Sequence, residues 1–533
     1  MGNLLPLLVV IPMGGGFLVP ILGRLTGSRR GAALLPIALG AAVLVLALVQ
    51  LFGTDAPVVA WMGGWKFPIG ISLVADGLSR LLLVIIAVVS LAALLFSMDY
   101  MLRYTGPNLY YGLFLLMLAG MNGVVLSGDL FNLFVFVEIA GLASYALVAF
   151  GTEADELEAS LKYLVLGTVA STFLLVGIAL VYNVTGQLNW AKVAEIVRAA
   201  GGPSTPLYVA VAFFLMGFGL KAAIVPFHAW LPDAHPSAPA PISAMLSGVL
   251  IKASGVYALT RIVFSVFGAS EMLGWVLIVL GAASMVVGVF LAVGQWDLKR
   301  LLAYHSISQM GYVILALGAA AAMQARGDVP ATVVGLAVLG GLFHLANHAV
   351  FKSLLFLCSG SVEYATGTRQ LKRLGGIGQR MPVTAVCLRI AAFSISGIPP
   401  LNGFWSKLII VLALVLGGYY VLAGVTVVVS FMTLLSFAKV QRYVLGGDPT
   451  EATEDAREVP AGMCLASLAL AVLCFASSLA VLVPSARARL LDPAVRVVQG
   501  GAAPAQEIAE GAVVAERTGL APAAPGGLEG ESP

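Results

Sequence analysis

The 533-residue chain has few charged residues, since Asp, Glu, Lys and Arg together make up only 10% of it. Soluble domains carry about 25% charged residues, so this composition excludes a soluble multidomain enzyme. Hydrophobic residues reach 60%, and the mean hydropathy is +0.99. The apolar runs are long and continuous, without the alternation typical of a membrane β-barrel. The composition therefore predicts an all-α polytopic membrane protein in contact with lipid.

Cysteine is also scarce, with four residues in the whole chain. All four lie in apolar stretches and form no short-spaced metal-binding pattern: Cys358, Cys387, Cys464 and Cys474. This spacing argues against a zinc or iron–sulfur site, and we expect neither a metal nor a cofactor in this chain. The net charge of +3 and the scattered Lys and Arg argue against a nucleic-acid partner. The first residues lack a charged signal-peptide region, which favours a retained first helix.

The apolar runs predict how often the chain crosses a bilayer, since a hydrocarbon core of about 30 Å requires about 20 apolar residues per helix. We predict about fourteen spans, near 3–22, 31–52, 78–98, 108–127, 130–150, 161–182, 205–226, 241–264, 272–293, 300–320, 331–358, 383–415, 418–440 and 461–483. The stretch 383–415 is too long for one straight helix and contains Pro399 and Pro400, so we expect it to be broken.

Two polar segments lie outside these spans. The composition after about residue 484 changes to Ala, Pro, Gly and Glu, which is typical of a low-complexity tail over 484–533. An acidic run between the fifth and sixth spans is predicted to be a solvated helix start, with a docking surface for a partner as the alternative. Its members are Glu153, Asp155, Glu156 and Glu158.

The distribution of Lys and Arg in short loops predicts the orientation. One set of alternate loops contains thirteen of them, among them Lys299, Arg369 and Arg442. The other set contains five: Lys66, Lys192, Arg198, Arg261 and Arg326. We therefore expect the first set to face the cytoplasm and both termini to lie outside, in the plasma membrane of a prokaryote.

Ionisable side chains inside spans are the main functional signal, because each is costly in lipid unless it meets water or a partner. Glu138 is the carboxylate that lies well inside an apolar run, whereas Asp76 lies at a span end, where headgroups or water would solvate it. Lys221 is the best partner for Glu138, and a lysine poised by a carboxylate can relay protons. A static structural ion pair is the alternative. The basic residues in or beside spans are Arg80, Lys162, Lys221, Lys252, Lys352, Arg389 and Lys407.

Two of these lysines, Lys221 and Lys407, lie near prolines that interrupt a helix. Broken helices at corresponding places in the two halves of a transporter indicate an ion site. His344, His348 and Lys352 follow at intervals of four and share one helix face, which suggests a water-lined path, although structural roles for the histidines remain an alternative. Zinc binding by the pair is disfavoured, since the HExxH pattern is missing. His228 and His235, near the end of a span, could admit protons or order the loop.

The sequence resembles the antiporter-like subunits shared by Mrp-type cation/proton antiporters, respiratory complex I and membrane-bound hydrogenases. The resemblance covers roughly residues 60–445 and is most specific in KAAIVPFHAWLPDAHPSAPAPISAMLSGVLIKASGVYALTR, which ends at Arg261. Four further motifs support it: GDLFNLFVFVEIAGLASYAL, DLKRLLAYHSISQMGY, HLANHAVFKSLLFLCSG and SISGIPPLNGFWSK. The stretch GGWKFPIGISLVADGLSRLLL is typical of the D subunit of Mrp antiporters and its hydrogenase relatives.

The resemblance implies fourteen helices with two inverted five-helix repeats, each containing a broken helix, around a hydrated axis parallel to the membrane. The implied organisation is helices 1–3 (1–107), the two repeats (108–264 and 265–445), a last span (446–483) and the tail (484–533). By motif match, the proton-translocating residues would be Glu138, Lys221, Lys252, His344, His348 and Lys407. Lysine at 407 departs from the complex I subunit that carries glutamate there.

Taken together, these features predict a proton-conducting subunit that works with other membrane subunits. The rival interpretation is an ion-pumping subunit of an NADH–quinone enzyme or a hydrogenase, whose redox centres would lie on other chains. An independent carrier of a small solute is a second rival, although the sequence shows no organic-substrate site. Whether sodium crosses this chain or a neighbour stays open.

Overall fold

A computed structural model describes residues 2–23, 30–65 and 69–500. Arg24 and Arg29, two of the thirteen basic loop residues counted above, lie outside the described residues, as do Lys66 and the tail from 501 onward. The structure is a bundle of helices with one hairpin of two antiparallel strands, β1 (Val58–Trp61) and β2 (Ser72–Ala75). The helices are α1 (Leu7–Leu22), α2 (Gly31–Gly53), α3 (Gly77–Tyr100), α4 (Pro107–Leu126), α5 (Leu130–Val148), α6 (Ala154–Thr185), α7 (Trp190–Ala199), α8 (Thr205–Ala222), α9 (Leu231–Ser237), α10 (Ala240–Val266), α11 (Glu271–Val293), α12 (Leu298–Arg326), α13 (Ala331–Thr366), α14 (Ile377–Arg380), α15 (Pro382–Ser396), α16 (Asn402–Leu416), α17 (Tyr420–Leu445), α18 (Ala461–Leu482), α19 (Pro484–Leu490) and α20 (Asp492–Gly500).

Thirteen helices within the described ranges are long and apolar enough to cross a membrane. The shorter apolar helices α15 and α16 follow one another and together occupy the place of the long segment predicted at 383–415. Counted as one broken span, this pair brings the total to the predicted fourteen. The break lies at 397–401, where Gly397 adopts a φ of 80° and so ends α15 in a left-handed conformation that favours glycine.

The helices α10 and α12 form the centre of the bundle. Every residue of α10 is buried, and α12 is buried over nearly all of its length. Helix α11 packs very closely against α12 because Gly274, Gly281 and Gly288 recur every seven residues on one face. A Cβ at each would lie 2.5 Å from a backbone nitrogen of α12, so only glycine permits this approach.

Helix α10 also departs from regular α-helical geometry. It contains π-helical turns at Leu246–Leu250, Lys252–Tyr257 and Arg261–Val266. Such turns are rare in proteins, and those that occur are often found at functional sites. Lys252 begins the second of them, so the backbone irregularity coincides with a buried ionisable residue.

The residues before 501 that the composition assigned to the tail are helical. Helices α19 and α20 cover 484–500, and Ala494 and Val498 of α20 are buried. Gln499 donates a hydrogen bond to the carbonyl of Ala331 at the start of α13. The low-complexity composition from 484 therefore does not prevent helix formation here, because Val495, Val497 and Val498 give α20 an apolar face that packs on the bundle.

Candidate functional site

Glu138 and Lys221 form an ion pair between two predicted membrane spans. Glu138 lies on α5 and Lys221 in the last turn of α8, and Lys221 Nζ is 3.4 Å from Glu138 Oε1. The same ammonium donates a hydrogen bond of 3.2 Å to the hydroxyl of Tyr145, and Ser171 of α6 donates to Glu138. The Lys221 side chain is 6% exposed, whereas Glu138 is 29% exposed. Glu138 therefore reaches the outer surface of the subunit while pairing with a buried lysine.

The break after α8 places Lys221 at a helix C-terminus. Ala223 adopts a φ of 54° and ends α8, and the chain resumes helical structure only at Leu231. Trp230 Nε1 donates to the Leu220 carbonyl at 2.9 Å, and the Val225 amide donates to Ser284 Oγ at 2.9 Å. Side chains thus form hydrogen bonds with some of the backbone groups that lack helical partners at the break. The negative end of the helix dipole also favours a cation at Lys221.

Lys252 is fully buried on α10. Its Nζ donates to the Ser247 carbonyl at 2.5 Å, and Ser247 Oγ lies 2.8 Å from Ser306 Oγ of α12. Within the described part of the chain, no carboxylate forms an ion pair with this lysine. A charged lysine in this position depends on carbonyl oxygens, hydroxyl groups and water for its stabilisation.

His344, His348 and Lys352 line one interior face of α13, as their spacing predicts, and all three are fully buried. His344 lies 2.9 Å from Ser406 Oγ and 3.2 Å from Gln309 Oε1 through its two ring nitrogens. Neither ring nitrogen of His348 has a hydrogen-bond partner among the described residues. Lys352 donates to the carbonyl of Leu302 on α12. The stripe therefore links α12, α13 and α16.

Lys407 lies in the second turn of α16, directly after the second break. Its Nζ donates to the Ile395 carbonyl of α15 at 2.7 Å and to Ser430 Oγ of α17 at 3.2 Å. The ammonium also lies 5.1 Å from the centre of the Tyr312 ring, where a cation interacts favourably with the aromatic face. Lys221 and Lys407 thus each adjoin the C-terminal end of an interrupted helix.

The other ionisable residues singled out from the sequence differ in their burial and contacts. His235 is fully buried against Phe356, with ring centres 4.6 Å apart, and its role in proton entry or in ordering the loop stays a prediction. His228 is half-buried in the segment between α8 and α9. Arg389 is exposed on the outer surface of α15 and does not face the buried lysines and histidines. Lys162 is exposed too, and it pairs with Glu158 at 2.8 Å and with Asp233 at 3.2 Å.

Sequence reasoning missed a second buried ion pair. Asp76 at the start of α3 is fully buried, and Arg261 Nη2 of α10 lies 2.6 Å from its Oδ1. Burial alone would raise the pKa of Asp76, but the charge and hydrogen bonds of Arg261 outweigh burial and lower it. We predicted that Asp76 contacts headgroups or water and that Arg261 lies in a loop. Both predictions are wrong, since the two residues are buried and paired. Asp76 and Arg261 lie near the ends of their predicted spans. At such positions, composition does not show whether a charged side chain faces solvent or is buried between helices.

A third charged cluster lies at the Lys/Arg-rich end of the bundle. Lys299, assigned to a loop from sequence, is 2% exposed and pairs with Glu363 at 3.0 Å. Arg369 joins Glu363 at 3.2 Å and Asp297 at 2.6 Å. An open cavity of about 710 Å³ adjoins this cluster and is lined partly by the acidic run at the start of α6. Glu153 and Glu156 form a capping box there, as expected for a helix start.

Within the described ranges, no three His, Cys, Asp or Glu side chains come together as a metal site. The cysteines are all free. Apart from the Asp76–Arg261 pair, the groups described above for the candidate site are amines, imidazoles, hydroxyl groups and the partly exposed Glu138 carboxylate, which can hold and exchange protons.

Comparisons with known proteins agree with this geometry. The family model described as NADH:quinone oxidoreductase/Mrp antiporter, TM, matches residues 127–433, which include every residue proposed above for proton transfer. The chain belongs to the NADH:quinone oxidoreductase/Mrp antiporter family. A second model, NADH-ubiquinone oxidoreductase (complex I) chain 5 N-terminus, matches residues 61–111. The resemblance stated from the motifs is thereby confirmed, and the chain is a polytopic membrane protein.

Three members of this family illustrate the similarity. The N subunit of NADH-quinone oxidoreductase from Desulforudis audaxviator is 38% identical, over 86% of this chain and 89% of the relative. The D subunit of the Na(+)/H(+) antiporter from Alkalihalophilus pseudofirmus is 34% identical, over 86% of this chain and 90% of the relative. A chain of the Mrp complex from Dietzia sp. superposes with a TM-score of 0.85 and 29% identity, over 95% of this chain and 100% of that chain. The predicted fold is confirmed by this superposition.

Ser171 offers a test of how the Glu138 carboxylate is positioned. Ser171→Ala removes the hydroxyl that donates to Glu138 and leaves its ion pair with Lys221 in place. We expect proton-coupled transport to fall several-fold, because the variant loses one charge-assisted hydrogen bond to Glu138. The effect is limited because water can reach the partly exposed carboxylate. Transport in proteoliposomes would measure it, with Thr168→Ala on the exposed face of α6 as the matched control. Equal rates in Ser171→Ala and wild type would show that this contact has no part in positioning the carboxylate.

Proposed function

We propose that the chain is the proton-translocating, antiporter-like subunit of a multisubunit membrane complex, and specifically a D-type subunit of an Mrp cation (sodium)/proton antiporter. It resides in a prokaryotic plasma membrane with both termini outside. The observation that carries the proposal is one set of ionisable groups, all buried except the partly exposed Glu138, on helices that contact each other: the Glu138–Lys221 pair, Lys252, the His344/His348 stripe and Lys407.

The route begins at the Lys/Arg-rich end, near His228, His235 and Lys252. It continues through Lys221 and the His344/His348 stripe to Lys407, with Glu138 setting the readiness of Lys221 to release its proton. Support comes from the ring nitrogens of His235 and His348, which are buried and lack hydrogen-bond partners among the described residues. Buried polar atoms of this kind are normally satisfied by internal water, which is what a proton relay requires.

The lysines have carbonyl acceptors rather than carboxylates along most of this route. Lys252 and Lys407 on the route, and Lys352 one turn beyond His348, each donate to one backbone carbonyl. A carbonyl stabilises an ammonium less than a carboxylate does, so these amines can lose a proton at a lower cost. Each such lysine is therefore suited to alternate between its protonated and neutral forms as charge arrives from its neighbours.

A second candidate function is the ion-pumping membrane subunit of an NADH–quinone oxidoreductase or a hydrogenase. The 38% identity to a relative named as the N subunit of NADH-quinone oxidoreductase favours it. In that case the electrons would pass through other chains, and this chain would perform the same proton relay.

One purification, followed by a transport assay, distinguishes the Mrp antiporter subunit from the ion-pumping subunit of a redox enzyme. The tagged full-length chain would be isolated in mild detergent with its companions, reconstituted in proteoliposomes and tested for sodium-dependent proton flux under an imposed sodium gradient. We expect companions that are membrane subunits free of redox centres, and proton flux that requires sodium. Companions carrying iron–sulfur or nickel centres, with proton flux driven only by electron transfer, would contradict the Mrp assignment and support the second candidate.

A further inference from the structure

A groove opens between α15 and α17 on the outer surface of the bundle. Its volume is about 460 Å³, within the range of sites that bind small ligands. Its apolar walls are formed by Phe393 of α15 with Leu434, Phe437 and Ala438 of α17. Leu434 and Arg442 are eight residues apart, so the groove extends about 12 Å along α17 at 1.5 Å per residue. It is therefore an elongated apolar slot that begins near the end of a membrane span.

The mouth of this groove carries uncompensated positive charge. Arg442 lines the groove in the last turn of α17 and is exposed. Arg389 precedes Phe393 by one turn and Ser396 by two, so it lies on the same stripe of α15 that forms the wall. Neither arginine forms an ion pair with any residue that the structure describes. The Gln441 side-chain amide, also at the mouth, is buried and lacks an acceptor among the described residues.

Both arginines lie toward the same side of the membrane. Helix α15 begins at the Lys/Arg-rich end of the bundle and α17 ends there, so the two run in opposite directions. Arg389 lies seven residues into α15, about 10 Å from its start. An arginine at that depth extends its side chain toward the headgroups and needs an anionic partner there. The charge in the mouth and the apolar slot below it thus face one leaflet.

We propose that this groove binds an anionic phospholipid, with its phosphate between Arg389 and Arg442 and one acyl chain between Phe393 and Phe437. Basic pockets between transmembrane helices recognise acidic lipid headgroups in this way. A protein partner fits the observations less well, because the positive charge is concentrated at one end of an otherwise mainly apolar groove, as the charge of a phospholipid is at one end of its chains.

The lipid also covers the outer side of Lys407. Ser396 forms the inner end of the groove, and the adjacent Ile395 carbonyl accepts the hydrogen bond from Lys407. An acyl chain in the groove excludes water from this side, so that the lysine exchanges protons only with the interior of the bundle.

The test compares lipid retention in variants of the full-length chain purified with its companion subunits. Vesicles of phosphatidylcholine and phosphatidylglycerol would supply the lipid, and mass spectrometry would count each lipid retained per complex. We expect the Arg389→Gln/Arg442→Gln double variant to retain less phosphatidylglycerol by about threefold or more, since two charge-assisted contacts are lost. Arg457→Gln, an exposed arginine in a loop of the same end, is the matched control and should retain the wild-type amount.

Ala438→Trp provides a second variant that keeps both charges and fills the apolar slot. It should also lower phosphatidylglycerol retention, and it remains informative if the double variant fails to assemble. Unchanged retention in both variants, or equal retention of phosphatidylcholine by the wild type, would overturn the proposal. Efficient cross-linking of an Ala438→Cys variant to a companion protein would overturn it too, because a protein would then occupy the groove. None of these measurements depends on transport, so failure here is distinguishable from failure of the proposed function.

Discussion

Replacing Lys221 or Glu138 with alanine is expected to abolish proton-coupled transport while the complex still assembles. Each change removes one member of the pair that lies 3.4 Å apart at the break of α8. A positioned proton-transfer group contributes about 100-fold or more to the rate, so we expect transport in proteoliposomes to fall by about that factor. The pair is partly exposed at Glu138, which limits the cost to folding and makes assembly of the variants feasible.

Lys162→Ala is the matched control for this experiment. Lys162 is also a lysine paired with carboxylates near α5 and α8, but its side chain is 48% exposed. It should transport at the wild-type rate. Wild-type rates in both Lys221→Ala and Glu138→Ala would refute the relay, whereas loss of the assembled complex would show that the pair is a structural contact.

The second large effect is on stability and concerns Arg261→Ala. This change leaves the Asp76 carboxylate fully buried without its cation. Removing one partner of a buried ion pair costs about 3–5 kcal/mol, so we expect a large drop in the free energy of unfolding. Unfolding in a denaturing detergent, followed by loss of helical circular dichroism, would measure it. Lys192→Ala, which affects an exposed pair with Glu195, should change the unfolding midpoint little.

Two further measurements identify the charge as the cause. An Asp76→Asn/Arg261→Gln double variant removes both charges and should recover part of the lost stability, because no unpaired ion stays buried. The pKa of Asp76 is lowered in the folded protein, so the pair contributes its full stability above the ordinary carboxyl value of 3.8 and loses it as the pH falls further. A double variant as unstable as Arg261→Ala alone would show that packing of the side chain, and not its charge, is responsible.

The Asp76–Arg261 pair also explains how α10 is held. The Arg261 guanidinium donates to Ser79 at 3.0 Å and to the Tyr257 hydroxyl at 3.0 Å, and Tyr257 donates to the Val125 carbonyl of α4 at 2.6 Å. This network fixes the C-terminal part of α10, which contains the π-helical turns Lys252–Tyr257 and Arg261–Val266. Lys252 begins the former, so the network positions a residue of the proposed relay without contacting it.

Much of the candidate site was predictable from sequence, because the signal was strong and local. A carboxylate within an apolar run, and lysines beside prolines, stand out against 10% charged residues. The i, i+4 spacing of His344, His348 and Lys352 predicts a shared face, and the structure has that face buried. The roles of these residues in proton transfer remain predictions. Polar side chains such as Ser171, Gln309 and Ser430 could not be selected in advance, since serine and glutamine are tolerated at many positions in helices.

The errors share a physical origin. Arg261 and Lys299 lie near span ends and were assigned to loops, yet both are buried in ion pairs with Asp76 and Glu363. Arg389 lies inside a span and was a candidate for the interior, yet it is exposed on the outer surface. Composition locates a residue along the membrane normal, but it does not show which way the side chain points around the helix.

By itself, the sequence determined the fold class, the number of spans, the places where two of them break and the set of charges that need an explanation. These follow from the transfer free energy of each segment into lipid, which depends on local composition. Only the tertiary structure decided which charges meet, which lie at the surface and where a lipid-sized groove opens. Helices in a membrane are apolar on every side, because lipid and protein interior are similar in polarity, so their sequences contain little periodic signal to distinguish the two.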